Sequence, residues 1–163
     1  MELNTLNDLY VDEIKDLWSA ETQILKALPK MIAAAHSKPL ARAFAKHERQ
    51  TRGHVRRLER ICKALGVSPK GKKCVGMEGL LKEGAELIKE KPSPEALDAG
   101  LISAAQHVEH YEMAGYGTVR TWAMLLGYDD QAILLQNTLD EEKATDADLS
   151  VLAQGINVAA EAE

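Results

Sequence analysis

Four long stretches of this 163-residue chain repeat apolar residues at intervals of three and four. Residues so spaced share one face of a helix, so each stretch reads as an amphipathic helix with one buried stripe. The first stripe, Leu6, Leu9, Ile14, Leu17, Ile24, Leu28, Met31 and Ala35, predicts a helix over residues 5–36. Thr5 is placed to cap it, Asp8 lies in its first turn, and Pro29 is expected to kink it locally. The second stripe, Leu40, Phe44, Leu58, Ile61 and Leu65, predicts a helix over 39–65, with Ser37 as N-cap and Gly66 as the terminating glycine. A loop rich in Lys and Gly leads to a shorter helix over 77–91, which Pro92-Ser93-Pro94 breaks. Ser93 can cap the next helix, over 94–126, which Gly127 ends. The last helix is expected over 129–155, with the tail beyond it fraying.

Composition enters as a check on that periodicity. Ala and Leu fill 44 positions and Val and Ile only 16, and the seven aromatics are too few for a typical β-sandwich. The length suits a single domain over residues 1–163 with a sizeable core. The net charge of −5 argues against nucleic acid as a partner, and the basic run over residues 49–60 reads as a solvated helix face. No apolar stretch is long enough for a membrane span, and the acidic N-terminus does not read as a signal peptide. Cys62 and Cys74 form no CxxC pair and read as reduced thiols, which points to a cytoplasmic protein.

Short links join the first two long helices and the last two, giving two antiparallel hairpins. A long crossover carrying the short helix connects them. The fold class expected is therefore all-α, in the ferritin-like version of a four-helix bundle.

Each apolar stripe is interrupted by polar residues. Glu21 sits on the first; His47, Gln50 and His54 on the second; Glu109 and Glu112 on the third; Glu142 and Asp146 on the fourth. Measured from the turn of each hairpin these residues lie at one depth, to within about one helical turn. The hairpins also repeat each other: Gln50 and His54 follow Glu21 by 29 and 33 residues, and Glu142 and Asp146 follow Glu112 by 30 and 34. No Lys or Arg shares those positions with the five inward carboxylates. Five buried carboxylates cannot all remain ionised without counter-charge, so they must be protonated, hydrated or bound to cations. Carboxylates with imidazole on bundle helices suit two transition-metal ions, iron or manganese, and the oxygen-rich set argues against structural zinc.

The segments SAETQILKALPKM (19–31), HERQTRGHVRRLE (47–59), KCVGMEGLLKEGAELI (73–88), LISAAQHVEHYEMAGYGT (101–118) and LLQNTLDEEKATDADL (134–149) span most of the chain. In them the sequence resembles the YciE/YciF family of ferritin-like proteins, domain of unknown function 892. The resemblance implies a ferritin-like bundle, a homodimer, a di-iron centre and a link to stress responses, with ferroxidase activity inferred by analogy. The chain departs from the family where members commonly read HLEET and this sequence reads HERQT, placing neutral Gln50 where Glu is expected. An amide oxygen is a weaker ligand and cannot bridge two ions, and His47 is the residue placed to compensate.

The expected metal ligands are thus Glu21, Gln50, His54, Glu109, Glu112, Glu142 and Asp146, with His47 as a further candidate. His107 and His110 lie off the stripe, and packing roles are expected for Tyr111, Tyr116, Trp122 and Cys74. Gly115 and Gly117, costly inside a helix, are expected to mark a close helix or subunit approach. The function expected is a dinuclear iron (or manganese) protein reacting with O₂ or H₂O₂, with ferroxidase or peroxide-consuming activity as the enzymatic form. The alternative is a non-catalytic dimeric helical stress protein with a weakened or empty metal site, and Gln50 is what favours it.

Overall fold

The structure, a computed structural model, describes residues 3–161. It contains five helices: α1 (Leu6–Ala34), α2 (Lys38–Ala64), α3 (Val75–Glu90), α4 (Pro94–Leu125) and α5 (Asp129–Glu161). No strand occurs among the described residues. The starts are set by side chains that satisfy amide groups the helix leaves free. Thr5 and Asp8 form a reciprocal capping box on α1, and Ser37, Cys74 and Ser93 cap α2, α3 and α4. Gly66 and Gly127 follow α2 and α4 with φ of 69° and 76°, the left-handed conformation that glycine adopts without penalty.

α1 packs on α2 and α4 on α5, and the pairs α1–α4 and α2–α5 close the contacts between the hairpins. α3 lies against α4 and α1. Two separate apolar clusters form the core. One gathers Ile24, Leu28, Leu40, Phe44, Leu101, Val108 and Leu149 with α3; the other gathers Ile14, Leu17, Leu58, Ile61, Tyr116, Val119, Leu135 and Leu139. Every long helix passes from one cluster to the other, α1 and α5 in one direction, α2 and α4 in the opposite one. The residues at each crossing are the buried polar ones: Glu21; His47, Thr51 and His54; Glu109 and Glu112; Glu142 and Thr145. One polar layer thus divides the core across its middle.

Four features differ from the sequence reading or were absent from it. α5 continues to Glu161 instead of ending near Gly155, because Leu152 and Ile156 prolong its apolar stripe and pack on the first cluster. α1 passes through Pro29 as the single helix expected, but ends at Ala34 rather than at residue 36. Gly115 does mark a close approach, since a Cβ there would lie 2.8 Å from Leu17 Cδ2, but Gly117 faces open space. Asp98, buried in the first turns of α4, accepts the backbone amides of His36 and Ser37 at 2.8 and 2.7 Å. That contact ties the second hairpin to the turn of the first.

Candidate metal centre

Four helices supply the polar layer because each places its inward positions at i, i+3 or i+4 and i+7 at the same depth. On α2 those positions are His47, Thr51 and His54; on α5 they are Glu142, Thr145 and Leu149. Two groups of ligating atoms result, each with its atoms within 4.8 Å of one another. Glu21, His54 and Glu142 form one; His47, Glu109, Glu112 and Glu142 form the other, so Glu142 belongs to both.

The contacts inside the groups are close but are not hydrogen bonds. His54 Nδ1 lies 3.1 Å from Glu21 Oε1 and 2.9 Å from Glu142 Oε1, and His47 Nε2 lies 3.2 Å from Glu109 Oε1. Those two nitrogens, both oxygens of Glu112 and of Glu142, Glu21 Oε2 and Glu109 Oε2 are buried without a hydrogen-bond partner. Leaving so many polar atoms unpaired costs on the order of 1–3 kcal/mol each. Separations near 3 Å are those between neighbouring donors around a cation with bonds of about 2.1 Å. The donor set fits a pair of metal ions sharing Glu142.

The outer atoms are held so that the inner ones face the centre. Glu141 Oε2 lies 2.7 Å from His54 Nε2, and Arg57 grips the Glu141 carboxylate through both terminal nitrogens at 2.8 and 2.9 Å. With Nε2 directed at Glu141, Nδ1 faces the centre and becomes a ligand once its own proton leaves. Thr145 donates its hydroxyl to the Glu141 carbonyl at 3.0 Å, so its oxygen accepts from His47 Nδ1 at 3.4 Å and His47 Nε2 faces the centre. Tyr116, fully buried, donates a short hydrogen bond to Glu21 Oε1.

The electrostatics follow from burial and crowding. Burial, then the neighbouring carboxylates, pushes Glu109 and Glu112 well above the usual carboxylate range. Burial also raises Glu21, against the pull of His54. Glu142 is lowered, because His54 outweighs its burial. His54 is the one cation of the layer: burial opposes its charge, but Glu21 and Glu142 raise it to about 11. Burial lowers His47, keeping it neutral. Arg57 holds Glu141 below its ordinary value.

Of the residues expected from sequence, Glu21, His47, His54, Glu109, Glu112 and Glu142 converge. Asp146 lies apart, accepting from Gln106 at 3.1 Å and pairing with the exposed His110 at 3.2 Å. Gln50 is half-buried; its Oε1 is buried and unpartnered, while the inward position beside it belongs to Thr51. Sequence reading missed Glu141 and Arg57. Their signal was the spacing His54-x-x-Arg57 opposite the pair Glu141-Glu142.

Relatives share this architecture. The chain is 43% identical over 154 residues to the protein YciF of Escherichia coli (strain K12), covering 94% of this chain and 93% of that one. The crystal structure of the E. coli stress protein YciF matches with a TM-score of 0.91 at 42% identity, covering 94% of this chain and 98% of that one. YcfI from Rhodopseudomonas palustris matches with a TM-score of 0.88 at 40% identity, covering 91% and 95%. The profile of the family described as "Domain of unknown function (DUF892)" matches residues 5–162, and the chain belongs to that family.

Proposed function

We propose that the chain is a ferritin-like metal-binding protein whose buried cluster holds two ions, iron or manganese, and that reacts with O₂ or peroxide in a stress response. The observation that carries this reading is the convergence of unpartnered buried carboxylate and imidazole atoms into two groups that share Glu142. Without a ligand such atoms cost stability that apolar residues in their place would not, so an occupant is what gives the cluster its use. The crossing pattern of α1, α2, α4 and α5 supports a ferritin-like bundle, and the E. coli relative, described as a stress protein, supports the setting. A cytoplasmic homodimer forming one domain belongs to the same reading.

Bound iron or manganese would supply the redox chemistry that reduces the oxidant. Glu21, His54 and Glu142 would hold one ion, and His47, Glu109, Glu112 and Glu142 the other. Glu141 and Arg57 fix the His54 ring so that Nδ1 stays directed inward. The Tyr116 hydroxyl orients Glu21.

Metal content after purification without chelator, followed by Fe(II) oxidation in air, tests the reading. Two ions per chain and oxidation above background are expected, and Glu142→Ala should lose both. A metal-free protein, silent towards Fe(II) and more stable as Glu142→Ala, would overturn it. A second reading, a non-catalytic dimeric helical protein with a weakened site, is favoured by Gln50, whose buried amide oxygen brings no charge to the layer. It expects Gln50→Glu to raise metal occupancy; full occupancy unchanged by that substitution excludes it.

A further inference from the structure

The apolar cluster that includes α3 is not filled. A cavity of about 20 Å³ lies inside it, walled by Ile24, Leu28, Phe44, Ala105 and Leu149 and reaching His47 and Glu109 at its inner end. That is room for one guest about the size of a water. The walls are almost wholly apolar, and the Thr145 hydroxyl that borders them is committed to the Glu141 carbonyl. Cavities with such walls stay dry and accept small apolar guests. The cavity is also close to the surface. Ala27, Met31, Leu81 and Val108 line both it and an open groove of about 660 Å³ between α1, α3 and α4. Those four side chains border both the groove and the pocket that reaches His47 and Glu109.

We propose that this cavity is the entry and holding site for dioxygen, reached from the α1–α3–α4 groove past Ala27 and Val108. The inference rests on the reading of the polar layer as a metal centre and chooses between its two oxidants for this route. Dioxygen carries no charge and forms no strong hydrogen bond, so it loses little on leaving water for an apolar passage. Hydrogen peroxide and hydrated cations must give up hydrogen bonds that Ile24, Leu28, Phe44 and Leu149 cannot replace, so the passage discriminates against them. The inner end delivers the guest to His47 and Glu109, whose Nε2 and Oε2 face the centre without partners.

Dissolved dioxygen is paramagnetic and shortens the relaxation of methyl groups it visits, so the cavity is testable in the metal-free protein under oxygen pressure. The methyls of Ile24, Leu28 and Leu149 should relax several-fold faster than the equally buried methyls of Leu58 and Ile61 in the other cluster. Ala105→Leu, which fills the cavity, should abolish the difference. Equal relaxation in the two clusters of the unsubstituted protein overturns the proposal, whether or not the variant folds. In the iron-loaded protein, Ala105→Leu and the milder Ala27→Leu should slow Fe(II) oxidation by dioxygen several-fold and leave oxidation by hydrogen peroxide unchanged. Equal slowing with both oxidants overturns the route. A chain that takes up no iron refutes the metal reading instead, and the methyl measurement still decides the cavity.

Discussion

Glu112 is fully buried, and neither of its carboxylate oxygens has a hydrogen-bond partner. Burial and its acidic neighbours keep it protonated, so in the absence of metal it acts as a polar side chain stranded in a core. Glu112→Leu is therefore expected to stabilise the metal-free protein by about 1–3 kcal/mol, measured by urea unfolding in EDTA. The same variant should lose the stabilisation that added Fe(II) or Mn(II) confers on the unsubstituted chain, since a ligand is gone. Glu141 makes the opposite case. It is one-third exposed and outside both groups, yet it holds His54 Nε2 and is itself gripped by Arg57. Glu141→Ala is expected to weaken metal binding by about 10–100-fold in chelator competition, because residues that orient a ligating imidazole contribute on that scale. An unchanged affinity would mean that His54 orients itself.

At the scale of the helix, the caps and stripes of α1, α2 and α4 were readable because Thr5, Ser37 and Ser93 precede clean apolar periodicity. The inward carboxylates were readable as violations of those stripes. What failed was phase. A step of one residue turns a helix by about 100°, and the sequence reading stepped by four from Glu142 to Asp146 and by three from His47 to Gln50. The buried face steps by three from Glu142 to Thr145 and by four from His47 to Thr51. Both threonines bond their hydroxyls to a carbonyl one turn back, Thr145 to Glu141 and Thr51 to His47, which lets them lie inside. The end of α5 was missed because Gly155 resembles a stop signal, whereas Ile156 keeps the stripe on the core. Asp98 escaped sequence reading for a different reason: its partners, the amides of His36 and Ser37, are sixty residues away. Its buried carboxylate is the junction between hairpins, so Asp98→Ala should cost about 2–3 kcal/mol in urea unfolding, having left two amides unpaired. The metal site should remain intact in that variant, since Asp98 lies at the hairpin turn and away from the polar layer.

For the whole molecule, the polar layer sets how stability and metal binding respond to pH. Glu21, Glu109 and Glu112 are raised in the fold, so above about pH 4.5 the folded chain holds protons that the unfolded chain has released. His54, raised to about 11, does the same above its ordinary value of 6.5. Both effects make the metal-free protein lose stability as pH rises. Two effects act the other way. His47, lowered by burial, penalises the fold below about pH 6.5, and the lowered Glu141 and Glu142 penalise it below about 4.5. Between 4.5 and 6.5 three raised carboxyls oppose one histidine, so the metal-free protein should be most stable on the acid side of neutrality. Metal reverses the slope. Ligation requires the protons of Glu21, Glu109, Glu112 and His54 Nδ1 to leave, so metal affinity should rise with pH and binding should release protons. Melting temperatures across pH 5–9, with and without Mn(II), measure both: the metal-free curve should fall towards alkaline pH while the difference between the two curves widens. A difference that is flat with pH would mean that the buried carboxyls are already ionised before metal arrives, with a counter-charge other than His54 in the layer.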